Sequence, residues 1–161
     1  TRMRQSSAFK NAAAQVPDGT LVQLLALWGD FTLHKNAAVP AVFVIGGIGI
    51  TPVRSIIAQA TPDKAPHKIT LLYANRTRAL AAYTDELERL AAENKNFTFV
   101  PVYTDTQGRV SAATIRQHVA DIAAPRYYLA GPEGMVKAMR ALLDEVGADE
   151  DNIRTEEFDG Y

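Results

Sequence analysis

The stretch Ala-Val-Phe-Val-Ile-Gly-Gly-Ile-Gly-Ile-Thr-Pro, residues 41–52, decides the fold of this chain. Five apolar residues, Ala41 to Ile45, run directly into a turn with three glycines. Thr51 and Pro52 follow where a helix is expected to begin, with proline at the first helical position. The apolar run is typical of a strand buried in a parallel sheet. The turn and helix start predict an anion site, because backbone N–H groups and the positive helix end converge there.

Strand-like and helix-like segments alternate from residue 41 onward. The predicted strands are 41–45, 68–73, 97–103, 126–130 and 153–158. One helix between them is predicted to bury Leu80, Tyr83, Leu87 and Leu90. Ser111 is predicted to cap another. Such alternation requires right-handed crossovers, so we expect an α/β fold with a five-stranded, parallel, doubly wound sheet. Ligands of such sheets bind at the carboxyl ends of the strands, near the point where strand order reverses.

Residues 1–35 do not follow this alternation. Ser7 is positioned to cap a short helix that ends at Val16, and residues 20–25 are predicted to form a strand after a Pro-Asp-Gly turn. We therefore assign residues 1–35 to a separate leading element and residues 36–161 to the sheet domain. Because the first residue is not methionine and this element is no obvious folding unit, we expect a fragment of a longer protein.

Composition excludes several classes of function. The 161 residues carry a net charge of −1, so neither nucleic acid nor an anionic membrane surface is favoured as a partner. No apolar run approaches the ~18 residues that cross a bilayer. With no cysteine, disulfides, thiolate metal sites and cysteine nucleophiles are excluded, and a reducing, cytoplasmic location is compatible. His34, His67 and His118 show no metal-ligand spacing, so no metal site is predicted.

The turn with Gly46, Gly47 and Gly49 is the first candidate binding site. It departs from the Gly-x-Gly-x-x-Gly dinucleotide fingerprint, because Pro52 occupies the third glycine position and no acidic residue follows at the usual distance. It is not a P-loop either, because no lysine follows. Spacing favours a ligand-binding turn, with Thr51 and Pro52 at the helix start, over a purely structural turn. It leaves both open.

Two arginines follow the second predicted strand. Arg76 and Arg78 suit the 2′-phosphate of NADP, because guanidinium groups match the geometry of phosphate oxygens. Asn75 precedes them and is assigned to the same adenosine end of the ligand. No carboxylate at this strand end favours NAD, so NADP is preferred. The alternative is that both arginines are solvated loop residues.

A second glycine turn follows the fourth predicted strand. Gly131 permits close approach of a ligand to the backbone, and Pro132 opens the next helix. This turn is placed to border the same crevice as the first. Met135 belongs to the turn's candidate contacts, although a methionine at this position is more typical of a packed core.

The carboxyl end of the chain carries a carboxylate and two aromatic rings. Glu156 can act as an acid or base, or contact a nicotinamide. Phe158 and Tyr161 can stack on a flat ring system. The structural alternative is a terminal strand with a packed phenylalanine.

Together these motifs resemble the ferredoxin–NADP reductase family of flavin-linked nicotinamide oxidoreductases. Residues 46–52 are similar to the family's pyrophosphate turn, residues 131–135 to its nicotinamide-side turn and residues 156–161 to its carboxyl end. The three motifs occur in the family's order. The resemblance implies that residues 1–35 are the C-terminal remnant of the family's FAD-binding β-barrel.

The resemblance also implies a function and cofactors. NADP or NAD would bind at the glycine turns and give a hydride to FAD in the intact protein. Electrons would then pass to an acceptor such as ferredoxin or flavodoxin. Ser6 and Ser7 would contact the flavin pyrophosphate, and Glu156 would position the nicotinamide. Phe158 or Tyr161 would shield the flavin or stack on it.

Departures from the family pattern leave other interpretations open. The family's Arg-x-Tyr-Ser flavin motif and most of the barrel are absent from these residues, and Pro132 stands where many members have cysteine. One alternative is a non-catalytic nucleotide-binding or regulatory module without a functional flavin domain. Another is a flavodoxin-like α/β domain with an anion site and no redox role.

Overall fold

The computed structural model describes residues 8–23 and 29–158 of the chain. Within these ranges the strands are β1 (Ala41–Gly46), β2 (Ile69–Asn75), β3 (Phe97–Tyr103), β4 (Arg126–Gly131) and β5 (Ile153–Glu157). The α-helices are α1 (Ala8–Gln15), α2 (Ile50–Ala60), α3 (Thr84–Glu93), α4 (Ala112–His118) and α5 (Glu133–Glu145). Short 3-10 turns are formed by Gly47–Gly49, Arg78–Leu80 and Glu150–Asn152.

The five strands form one parallel sheet in the order β3-β2-β1-β4-β5. β1 lies in the middle, with Phe43 opposite Leu71 of β2 and Tyr128 of β4. Strand order therefore reverses between β1 and β4, whose carboxyl ends flank the crevice where such sheets bind ligands. All six residues of β1 are buried, which explains their continuous apolar character. The predicted α/β class and five-stranded parallel sheet are confirmed.

Helices cover both faces of the sheet and form two hydrophobic cores. Phe43 and Ile45 point to the face covered by α2 and α3. Val42 and Val44 point to the other face, which α4 and α5 cover. This alternation places the amino ends of α2 and α5 near the carboxyl ends of β1 and β4. Within the described ranges, no helix is both long enough and apolar enough to cross a membrane.

The helix predicted to bury Leu80 and Tyr83 begins later than its apolar spacing indicates. α3 starts at Thr84, and Tyr83 precedes it with a φ of +62°, in the left-handed region that interrupts a helix. Leu80 lies in a 3-10 turn instead. The prediction is wrong for these two side chains, which are 38% and 45% exposed, and right for the buried Leu87 and Leu90.

Two helix starts can be compared with their predictions. α2 begins at Ile50, so Pro52 is its third residue and not its first, contrary to the prediction. Pro52 still lies in the first turn, where backbone N–H groups have no helical partner. Ser111 caps α4 as predicted. Its Oγ accepts a hydrogen bond from the Thr114 N–H, and Thr114 Oγ1 accepts one from the Ser111 N–H, both at 3.3 Å.

The chain divides into two compact units, Thr1–Asp30 and Phe31–Tyr161. In the first unit, α1 confirms the predicted short helix and has no buried residue. The strand predicted over 20–25 is not formed in its first four residues. The rest of that segment and Ser7 lie outside the described residues. The assignment of residues 1–35 to a flavin-binding barrel stays a prediction.

A histidine network packs beside β4 in the second unit. The backbone N–H of His34 donates to the Tyr128 hydroxyl oxygen at 2.9 Å, and His34 Nδ1 lies 2.9 Å from the same oxygen. His34 Nε2 lies 2.8 Å from the Val39 carbonyl oxygen. Because a carbonyl only accepts, Nε2 carries the proton and Nδ1 accepts from the hydroxyl. His67 Nε2 donates to the His34 carbonyl oxygen at 2.8 Å. The network therefore fits a neutral His34.

Acid should destabilise this network. Burial lowers the pKa of His34 from its usual value of 6.5, and the charges of His67 and Arg126 lower it further. Below pH 6.5 the unfolded chain takes up a proton that the folded chain does not, so stability falls with pH in that range. We expect His34→Gln to reduce the acid-induced drop in unfolding temperature by about 3 °C between about pH 7.5 and about pH 5.5.

The control for this prediction is His118→Gln, which removes a histidine from the last turn of α4. It should leave the acid-induced drop unchanged. Equal drops in the wild-type chain and in His34→Gln, measured by thermal unfolding, would contradict the role of His34.

Candidate nucleotide-binding site

The first glycine turn connects β1 directly to α2. The turn begins after Gly46, and Gly47 has a φ of +54°, which suits glycine because left-handed backbone is costly for other residues. The Tyr73 hydroxyl donates to the Gly47 carbonyl oxygen at 3.1 Å. Thr51 Oγ1 donates to the Ile48 carbonyl oxygen at 3.1 Å. Two side-chain hydrogen bonds thus turn these carbonyl groups away from the helix start.

The start of α2 is open to an anion. Neither the 3-10 turn nor α2 has a side-chain cap, because Gly46 and Gly49 occupy the two N-cap positions. The first turn of α2 contains no acidic residue. The first N–H groups of a helix have no partner within the helix, and the helix dipole favours negative charge there. This turn therefore has the chemistry of a phosphate site.

The two glycine turns pack against each other through their backbones. A Cβ atom added to Gly49 would lie 2.4 Å from the Ala130 carbonyl oxygen, which is too close for any side chain. Gly131 has a φ of +154°, and a Cβ there would lie 3.0 Å from the Gly46 carbonyl oxygen. A Cβ on Gly46 would lie 2.1 Å from the Sδ atom of Met135. Glycine is required at these positions by contact between β1 and β4.

The second turn differs electrostatically from the first. Pro132 is the N-cap of α5, and the first residue of the helix, Glu133, forms an ion pair with Lys137. A carboxylate already lies at this helix start, so an additional anion is disfavoured there. The Gly131 carbonyl oxygen accepts a hydrogen bond from the Phe158 N–H at 3.1 Å, which ties the end of β5 to the turn.

Asn75 and Arg76 lie at the carboxyl end of β2. Asn75 is 4% exposed, and neither its Oδ1 nor its Nδ2 has a hydrogen-bond partner among the described residues. Buried side-chain amides are normally hydrogen-bonded, so an unpaired one is a marker of a functional position. The Arg76 side chain is exposed and forms no hydrogen bond or ion pair with the described part of the chain. Both residues are thus placed where the sequence predicted them.

Arg78 is engaged by carboxylates. Its Nη1 atom lies 2.6 Å from Glu88 Oε1, and its Nη2 atom lies 2.9 Å from Asp85 Oδ1. Hydrogen bonding to Glu88 raises the pKa of Arg78, and the same bond lowers the pKa of Glu88. The predicted phosphate-binding arginine is therefore in an ion pair. The two acidic residues were expected to form only a solvated helix face.

The tail residues approach the second turn. Glu156 of β5 pairs with Ala130 of β4, and its Oε2 atom is buried with no hydrogen-bond partner in the described ranges. The Phe158 ring is partly buried and packs against the core on the α2 side of the sheet. Met135 packs against the opposite core, as expected for a core methionine. The remaining predicted contacts lie outside the described residues: Ser6, Ser7 and Tyr161.

Sequence reasoning missed two supports of the site. Tyr73 holds Gly47, although the residues are 26 positions apart, and only the parallel pairing of β1 with β2 brings them together. Arg54 of α2 binds Glu86 of α3 with an Nη2–Oε1 distance of 2.6 Å. A tyrosine within a buried strand was the one signal available for the first contact, because a buried hydroxyl needs a partner.

The strand order, with two glycine turns at its reversal, defines a doubly wound α/β domain of the class that binds dinucleotides. The chain belongs to the oxidoreductase NAD-binding domain family, whose model matches residues 43–141. The matched range runs from β1 into α5 and contains both turns. This confirms the resemblance to flavin-linked nicotinamide oxidoreductases.

Similar proteins support the same assignment. The Na(+)-translocating NADH-quinone reductase of Pseudomonas aeruginosa has a component that is 30% identical over 155 residues, which are 88% of this chain and 38% of that protein. Flavohemoglobin from Malassezia yamatoensis, solved with bound FAD and heme, has a TM-score of 0.73 at 28% identity, over 81% of this chain and 35% of its own. Ferredoxin-NADP+ reductase from Plasmodium falciparum shares the fold, with a TM-score of 0.65 at 20% identity, over 81% of this chain and 57% of its own. The chain thus corresponds to only part of each.

The contact between the turns can be tested by adding single methyl groups. Gly49→Ala should lower the free energy of unfolding by about 2 kcal/mol, because its Cβ meets the backbone of β4. The matched control is Gly134→Ala in α5, where an added Cβ has no atom within 4 Å. It should leave stability unchanged or raise it by up to about 1 kcal/mol. Urea unfolding measures both, and equal stabilities would contradict the close contact.

Proposed function

We propose that this chain is the NAD(P)H-binding portion of a flavin-dependent oxidoreductase. In this function a hydride passes from NAD(P)H to FAD, and electrons pass on to an acceptor such as ferredoxin. The observation that carries the proposal is the backbone contact between the two glycine turns at the reversal of strand order. It brings two unlike helix starts to one crevice, and a dinucleotide has two unlike parts to match them.

The pyrophosphate is assigned to the first turn. Gly46, Gly47 and Gly49 let it approach the backbone, and the uncapped start of α2 supplies N–H donors. Thr51 and Pro52 lie in the first turn of α2, where proline removes no helical hydrogen bond. No acidic side chain in that turn opposes the bound phosphates.

The nicotinamide is assigned to the second turn. Because Glu133 already lies at the start of α5, this turn suits a neutral or positively charged ring better than a phosphate. Gly131 and Pro132 would border the ring. The unpaired Oε2 of Glu156 is an acceptor for the N–H groups of a carboxamide. Glu156 would therefore position the nicotinamide.

FAD is assigned to the side of the tail. Phe158, which is hydrogen-bonded to the second turn, lies where a half-buried ring can stack on a flavin. Ser6, Ser7 and Tyr161 are proposed as further contacts, and residues 1–35 as the remnant of the barrel. FAD, when bound, supplies the change from two-electron to one-electron transfer. The chain's own residues hold the nicotinamide against it and exclude water.

The acceptor and location are proposed on more general grounds. A one-electron acceptor protein such as ferredoxin or flavodoxin would take two single electrons for each NAD(P)H oxidised. A cytoplasmic location is consistent with the absence of cysteine from the sequence. The test is an assay of the full-length protein with added FAD, NADH and NADPH, with ferricyanide and then ferredoxin as acceptors. Nucleotide oxidation without acceptor reduction would contradict the proposal.

Binding tests the site directly on the 161-residue chain. We expect saturable binding of NADH and NADPH, measured by the change in nucleotide fluorescence or by calorimetry. A well-folded sample that binds neither nucleotide would remove the central assignment.

Arg76 tests the preference for NADP. Its unpaired guanidinium is the proposed partner of the 2′-phosphate, so Arg76→Ala should weaken NADPH binding by about tenfold and leave NADH binding nearly unchanged. The control is Lys68→Ala, which removes an exposed cation at the opposite end of the same strand. It should affect neither nucleotide. Equal losses for NADPH and NADH in Arg76→Ala would refute the assignment of Arg76 to the phosphate.

A further inference from the structure

Both terminal nitrogens of Arg78 are occupied by carboxylates of α3. Nη1 lies 2.6 Å from Glu88 Oε1, and Nη2 lies 3.1 Å from Glu88 Oε2 and 2.9 Å from Asp85 Oδ1. An arginine that binds a phosphate in the bidentate manner uses the same fork of donors. Arg78 can therefore bind a phosphate in this way only after the two carboxylates release it.

The position of Arg78 gives these contacts their significance. Arg78 follows β2, the strand whose carboxyl end receives the adenosine ribose in doubly wound dinucleotide-binding domains. At that place an acidic side chain selects the ribose hydroxyl of NADH, and an arginine accommodates the 2′-phosphate of NADPH. Here the acidic side chains come from α3, seven and ten residues beyond the arginine. They reach the nucleotide-selecting position through Arg78.

The charge of the cluster opposes a phosphate. One positive group, Arg78, is shared by two negative groups, Asp85 and Glu88, so the three together carry a net charge of −1. Hydrogen bonding to Arg78 lowers the pKa of Glu88, so this carboxylate is ionised at neutral pH. A 2′-phosphate approaching the end of β2 therefore meets a net negative cluster instead of a free arginine.

The carboxylates are held in place relative to the first glycine turn. Arg54 of α2 donates from Nε to both carboxylate oxygens of Glu86 at 3.1 Å. Its guanidinium carbon also lies 5.6 Å from the centre of the Tyr83 ring, just before α3. Because α2 begins at the glycine turn, these contacts fix the start of α3 relative to the proposed pyrophosphate site. Asp85 lies in that first turn of α3.

We propose that Asp85 and Glu88 are specificity-determining residues that compete with the 2′-phosphate of NADPH for the guanidinium of Arg78. In the wild-type chain Arg78 contributes nothing to NADPH binding, and the preference for NADPH over NADH is lower than the two arginines alone would give. This inference rests on the proposed nucleotide-binding function.

The test compares the ratio of NADPH to NADH affinity in the full 161-residue chain. The double variant Asp85→Asn, Glu88→Gln should raise this ratio about fivefold, because it frees the fork of Arg78 and removes two negative charges. The control is Glu93→Gln, which breaks an ion pair of the same kind with Arg89 at the other end of α3. It should leave the ratio unchanged. Thermal unfolding checks that each variant folds.

Arg78→Ala separates release of the arginine from a general change of charge. In the wild-type chain it should leave the ratio within about twofold, and in the double variant it should abolish the gain. An unchanged ratio in the double variant, or a selective loss of NADPH binding in Arg78→Ala alone, would overturn the inference while leaving nucleotide binding intact. A folded chain that binds neither nucleotide would overturn both this inference and the proposed function.

Discussion

Backbone-to-backbone contact between the turn after β1 and the carboxyl end of β4 is the constraint on which the site depends. A methyl group at Gly49 would lie 2.4 Å from the Ala130 carbonyl oxygen, so the two strand ends meet with no side chain between them. Ile45 pairs with Ala130 in the sheet, and the contact continues that register beyond the strands. Because strand order reverses here, the starts of α2 and α5 both face the crevice.

The two helix starts are close together but chemically opposite. α2 begins with glycine and has no acid in its first turn, whereas α5 begins with Glu133, paired with Lys137. A ligand with a negative centre and an uncharged or positive ring can lie across both in one orientation only. The hydrogen bond from Phe158 to the Gly131 carbonyl oxygen adds β5 to the second half of the site. Orientation is thus determined by backbone and charge before any base-specific contact is considered.

Much of the fold was predictable because its signals are local. A fully buried strand shows an unbroken apolar run, and Ser111 with Thr114 forms a cap that the sequence indicates directly. The start of α3 was not predictable from apolar spacing, since Leu80 and Tyr83 fit the helical period but the left-handed backbone of Tyr83 breaks the helix. Nor was the contact of His34 with a tyrosine 94 residues away, which only the assembled sheet creates.

The site was predictable to the level of residue type but not of availability. Glycine turns and arginines at strand ends are visible in the sequence, and the structure places Arg76 and Arg78 beside the same strand end. Their difference arises from the 3-10 turn after β2 and from α3, whose carboxylates reach Arg78 and leave Arg76 without a partner among the described residues. An arginine recognises phosphate only if its donors are free. Cofactor preference therefore depends on acidic side chains that contact the arginine and need not touch the nucleotide.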